Sequence, residues 1–182
     1  MKTLRNHSRQ TLLLSALALV LFAACGPTHD QLQAEIEQAE DSLSALQYEL
    51  DTNAAWRLID RYTGFADRYP DDTVTPVYLF KSADLLLGIG HAGEAADVFD
   101  RIVTEHPDFA DLPLCFFFKG AALEQAQRPD EAVAAYEEFL RRYPEHFLAR
   151  DLRTLLPLVR QGMDDSEQLD YVLSHPADST EK

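Results

Sequence analysis

Two cysteines, Cys25 and Cys115, are all the chain carries, so no disulfide framework can staple it. Glycine is scarce, and there is no glycine-rich phosphate loop. Gly88-Ile89-Gly90-His91-Ala92-Gly93 has glycines at such a spacing, but it follows a predicted helix, which makes it an inter-helix turn. The six histidines (His7, His29, His91, His106, His146 and His175) are scattered and share no metal-ligand spacing. Asp71-Asp72 and Asp164-Asp165 fall at predicted loops or helix starts, where capping is the expected role. These absences leave no candidate catalytic residue, cofactor or metal, and the chain is expected not to be an enzyme. An enzyme or small-ligand binder would need an enclosed pocket with converging polar groups.

Basic residues are missing from a long stretch, between Arg9 and Arg57, and where they precede it they have a separate role. Lys2, Arg5 and Arg9 lead into the apolar run Leu12 to Ala24, which ends at Ala23-Ala24-Cys25. That is the layout of a secretory signal, and the run falls short of the roughly 20 residues of a membrane span. Residues 1–24 are therefore read as a leader. Its removal takes the net charge from −15 to −18 and leaves 158 residues, within the range of one domain. So acidic a body repels nucleic acid and anionic headgroups, so membrane attachment has to come from acyl chains.

What the chain does have is a period. Pro70, Pro107 and Pro144 follow Tyr69, His106 and Tyr143 at intervals of 37 residues. The same shift lays Pro76 on Pro113, Ala83 on Gly120, Ala95 on Ala132, Phe99 on Tyr136 and Ile102 on Phe139, and one register earlier Tyr62 and Phe65 fill the same slots. A period of this size means stacked supersecondary units. Each unit reads as two helices. Thr75-Pro76 and Leu112-Pro113 open the first, because proline is tolerated where a helix needs no donor. The first helix spans 75–88 and the second about 93–105. A small residue (Ala83 or Gly120) lets the neighbouring helix approach, and an aromatic (Phe99 or Tyr136) fills the remaining space. A proline step then ends the unit.

These residues resemble the tetratricopeptide repeat (TPR) over roughly Asn53 to Gly162. The lipoprotein-like signal, the 37-residue period and the endings Phe65…Arg68-Tyr69-Pro70 and Phe139-Leu140-Arg141-Arg142-Tyr143-Pro144 are similar to those of envelope lipoproteins. Those are the BamD-like β-barrel-assembly type, the Tol–Pal coordinator type and short TPR lipoproteins of the Bacteroidota. The chain lacks the extra repeats of the full BamD-like subunit. The resemblance implies an all-α, right-handed solenoid of antiparallel helix pairs, with an N-terminal helix and a C-terminal capping helix. It also implies that Cys25 is lipidated and becomes the mature N-terminus. Phe22 stands where the usual motif has leucine, and Leu21 lies one residue further back. Gly26 is not aspartate, so an outer-membrane anchor on the periplasmic side is expected.

The expected organisation is a leader at 1–24, a tether at 25–30, a repeat domain at 31–162 with a capping helix at 147–161, and a short helix with a disordered acidic tail at 163–182. Leu32, Ile36, Ala39, Leu43, Leu46 and Leu50 form a heptad-like stripe. It fits either a coiled coil or a helix packed within the chain. The acidic residues around it (Glu35, Glu37, Glu40, Asp41) would repel one another in a parallel oligomer, which favours packing in cis near Arg57, Arg61 and Arg68. Pro157 is expected to kink the capping helix, and Cys115 to be a small buried hydrophobe.

First helices of stacked pairs line a concave face that binds peptides or helices. The positions there that intra-repeat packing does not use are Val77, Phe80, Asp84 and Leu87, and 37 residues on, Leu114, Phe117, Ala121 and Glu124. Phe80 and Phe117 are expected to present aromatic anchors in one groove, with Asp84 and Glu124 as an acidic rim favouring a basic or neutral partner. The function read from this is a membrane-tethered adaptor for another envelope protein. The alternative is a structural lipoprotein that self-associates through its N-terminal heptads.

Overall fold

The computed structural model describes residues 26–45, 51–163 and 165–174. Among them are eight helices and no strand: α1 (His29–Ser44), α2 (Thr52–Arg68), α3 (Thr75–Gly88), α4 (Ala92–Glu105), α5 (Leu112–Gln125), α6 (Pro129–Arg142), α7 (Phe147–Arg160) and α8 (Asp165–Ser174). Each helix packs chiefly on its neighbours in sequence, which makes the array a stack of helix pairs. The boundaries expected for α3 coincide with those observed, and α4 begins one residue earlier than expected. Leu46 and Leu50, the leader, Cys25 and the acidic tail lie outside the described residues.

The two kinds of turn repeat in backbone detail. Tyr69, His106 and Tyr143 end α2, α4 and α6 at φ near −130° and ψ near 60° (−130/60, −126/60 and −128/53). The proline that follows each disfavours helical geometry at the residue before it, so the helix stops there. At the other end of the units, Gly90, Gln127 and Gly162 adopt left-handed φ values of 83°, 58° and 73°. Each lets the next residue's N–H reach back over the last turn: His91 to the Leu86 carbonyl at 2.8 Å, Arg128 to Leu123 at 2.8 Å and Met163 to Leu158 at 3.2 Å. This closes the last carbonyls of α3, α5 and α7.

The main core runs along the stack through Leu79, Ala83, Phe99, Ile102, Leu123, Tyr136, Phe139 and Leu152. Phe65, Phe99 and Phe139, one per repeat, are fully buried, and cutting any of them to alanine costs about 3–5 kcal/mol. Cys115 belongs to this core, and burial pushes its thiol up to about 12, which keeps it protonated and unreactive. Pro157 lies inside α7, where it has no N–H to give to the preceding turn.

A second cluster docks α1 in cis. Ile36 is fully buried against Leu58, Tyr62, Phe65 and Tyr78, and Leu32, Ala39 and Leu43 pack beside it. α1 packs on α2, the helix that carries Arg57, Arg61 and Arg68, but among the described residues the lysine or arginine paired with it is Lys81 of α3, whose Nζ lies 2.8 Å from Glu40 Oε1. Tyr62 donates to the same oxygen at 2.6 Å. Burial works against the Glu40 charge, yet these two bonds outweigh it and hold its carboxyl below the usual range. The arginines were nearer in sequence, but Lys81 stands one repeat further along the face that α1 covers.

A candidate protein-binding groove

The first helices of repeats two and three, α3 and α5, leave an open cleft of about 560 Å³ between them. Its walls are Asp84, Leu87 and Gly88 from α3, and Phe118, Ala121, Glu124 and Gln125 from α5. Asp84, Leu87 and Gly88 become Ala121, Glu124 and Gln125 on a shift of 37 residues, so the cleft is the seam between equivalent stripes. Four of the eight positions expected from sequence meet here: Asp84, Leu87, Ala121 and Glu124. Val77 instead lines a separate concavity against α1, with Gln33, Ile36, Glu40 and Lys81. Leu114 is half-buried and outside the lining of the cleft.

The two expected aromatic anchors do not stand free. Phe80 is half-buried, with its ring 5.5 Å from Phe99, 5.9 Å from Phe118 and 6.5 Å from Phe109. Phe117 packs at 6.0 Å from Tyr136 and 6.2 Å from Phe139. Both rings pack a first helix onto its own second helix, and Phe80 also joins its repeat to the next. The aromatic that reaches the cleft is Phe118, one residue on, and its equivalent in the preceding repeat is Lys81. One residue is about 100° of helix rotation, enough to turn a groove position into a packing one. The Phe118-Ala121-Gln125 spacing of three and four carries that signal in the sequence, but the identity of the phenylalanine one position earlier masks it.

Glu124 is the centre of the site's polar chemistry. Its Oε2 accepts a 2.6 Å hydrogen bond from the Tyr136 hydroxyl, and its Oε1 accepts one at 2.9 Å from Gln168 Nε2 of α8. Gln168 also donates to the Met163 carbonyl at 2.9 Å and is 8% exposed, the one side chain of α8 that is buried among the described residues. Glu124 also forms the wall of a second cleft of about 410 Å³ with Pro129, Val159 and Met163. The last described helix therefore meets the concave face at Glu124. Among the described residues, neither Asp84 nor Glu124 has a cation within ion-pair distance, and Asp84 is exposed. Such a site is suited to taking hydrogen-bond donors or a positive charge across an apolar floor.

Among the described residues, no group of three or more His, Cys, Asp or Glu is placed to hold a metal. Nor is any helix there long and apolar enough to cross a membrane.

The family model that matches is that of the tetratricopeptide repeat, over residues 117–146, from the cleft wall of α5 through α6 to the turn after Pro144. A TPR repeat-containing protein of Pseudomonas aeruginosa is 29% identical over 124 residues, covering 68% of this chain and 20% of that protein. The chain thus spans about a fifth of the length of that curated relative. With its eight described helices, this makes the fold an all-α, TPR-like solenoid.

Proposed function

We propose that the chain is a lipid-anchored adaptor of the bacterial cell envelope whose α3–α5 cleft binds a segment of another protein. The observation that carries this reading is the Glu124–Gln168 contact. A helix lies at the end of the groove and gives a side-chain amide to the groove's carboxylate, which is the interaction a helical ligand with amide or basic side chains would make. The similarity to TPR proteins supports the binding role. The leader and Cys25 support an anchor in the outer membrane, on its periplasmic side. The heptad surface that self-association would need is used within the chain, where Ile36 is 1% exposed.

The test is a crosslinking pull-down from envelope fractions, comparing wild type with an Asp84→Lys, Ala121→Arg double variant. Both positions face the cleft and not the core, so circular dichroism should show the fold retained. Loss of a specific protein from the folded variant supports the groove. An unchanged set of captured proteins contradicts it.

A further inference from the structure

We propose that the solenoid stands on the bilayer by one defined pole, the end bearing the three proline turns, with Phe147 seated in the interface of a neutral phospholipid surface. The inference rests on the reading of Cys25 as the acylated residue. From Cys25 to His29 is four residues, a reach of at most about 14 Å even when fully extended.

That short stem ends on a fixed point. His29 Nε2 lies 2.8 Å from Asp72 Oδ2, and its ring packs at 5.2 Å on Phe65 and 4.9 Å on Tyr69. Gly26 lies against Arg68, near enough that a β-carbon there would be 2.8 Å from the guanidinium Nη1. The stem therefore leaves the domain at the α2–α3 turn. The antiparallel pairing puts the α4–α5 and α6–α7 turns at the same pole. Arg101 near the end of α4 pairs with Asp67 near the end of α2 at 2.7 Å, and Tyr143 at the end of α6 packs 6.0 Å from Phe116 at the start of α5.

At this pole Phe147 opens α7 and is 75% exposed, the most exposed of the large apolar side chains among the described residues. Aromatic rings favour the membrane–water boundary. Asp71, Asp108, Asp111 and Glu145 stand at this pole beside Arg68 and Arg150, so it does not attract anionic lipid and suits a zwitterionic surface. The cleft lies toward the opposite pole. Asp84 to Gly88 sit 9 to 13 residues along α3, or about 14–20 Å above the headgroups. The groove is thereby held out of the bilayer, facing the aqueous side.

The chain's single tryptophan provides the control. Trp56 packs at 4.8 Å on His91 in the α3–α4 turn, at the far pole. The experiment uses the acylated full chain in phosphatidylcholine vesicles containing brominated lipid, as wild type and as Phe147→Trp. Wild-type emission should be unquenched, and the added indole of Phe147→Trp should be quenched. If the protein floats with the vesicles but the added indole is unquenched, the anchor stands and the docked pole is wrong. If acylated wild type does not float, or floats no better than Cys25→Ser, the anchor reading fails and the docking with it.

Discussion

Gly120 and Tyr136 occupy the same space: a β-carbon on Gly120 would sit 2.5 Å from Tyr136 Cδ1 and 2.8 Å from Cζ. The absence of that carbon lets the ring pack directly against α5, and from there its hydroxyl reaches Glu124. One contact thus joins the packing of the third repeat to the chemistry of the groove. Gly120→Ala should cost about 1–3 kcal/mol through overpacking, seen as a fall in the urea midpoint without a change in slope. An unaffected midpoint would mean that the ring can move aside.

Gln127 holds the left-handed turn position that Gly90 holds one repeat earlier, at φ 58° against 83°. A side chain in that conformation carries strain that glycine lacks, partly offset by the entropy glycine adds to the unfolded chain. Gln127→Gly is expected to raise stability by about 0.5–1 kcal/mol in the same urea assay. A decrease would show that the side chain contributes more than the backbone loses.

The docking of α1 should depend on pH. Hydrogen bonds from His29 to Asp72 and then Asp30 raise the imidazole above its ordinary value near 6.5. The Val74 N–H, followed by His29, holds the Asp72 carboxyl below its usual range. A raised histidine contributes fully below its unfolded value, and that contribution is lost as pH rises through the folded one. A depressed carboxyl contributes above its unfolded value, and that contribution is lost as pH falls through the folded one. The clasp is therefore strongest between the ordinary carboxylate range and about pH 6.5, and weakens above neutrality. Amide exchange in α1, corrected for intrinsic rate, should speed up there in wild type but not in Asp72→Asn.

Removal of α8 should open the groove. Ending the chain after Met163, or changing Gln168 to Ala, frees Glu124 Oε1 at little cost to the fold, because α8 touches the rest of the stack lightly. The yield of crosslinked partner is expected to rise in both variants. A fall in yield would make α8 part of the binding surface instead of its cover.

The fold was legible because its determinants are local and repeated. Tyr69, His106 and Tyr143 stop their helices for the same steric reason, and each is visible as a residue before proline. The site was legible only in part. Periodicity placed Asp84, Leu87, Ala121 and Glu124 on the concave face, but it could not tell which of Phe116, Phe117 and Phe118 turns toward the cleft. In α5 apolar residues surround the whole helix, so no polar face fixes its rotation. Nor could sequence show that Gln168 reaches back 44 positions to Glu124, since a lone amide in an acidic helix carries no pairing signal.

A partner held in the α3–α5 cleft would lie within crosslinking reach of Ala121 and out of reach of Ala134. The most direct measurement places a photoreactive amino acid at Ala121, inside the cleft, and separately at Ala134, exposed on α6. A specific crosslinked partner is expected from Ala121 that Ala134 does not give, and that the Asp84→Lys background abolishes. An adduct from Ala134 with none from Ala121 would contradict it and put the binding surface on the other face of the solenoid.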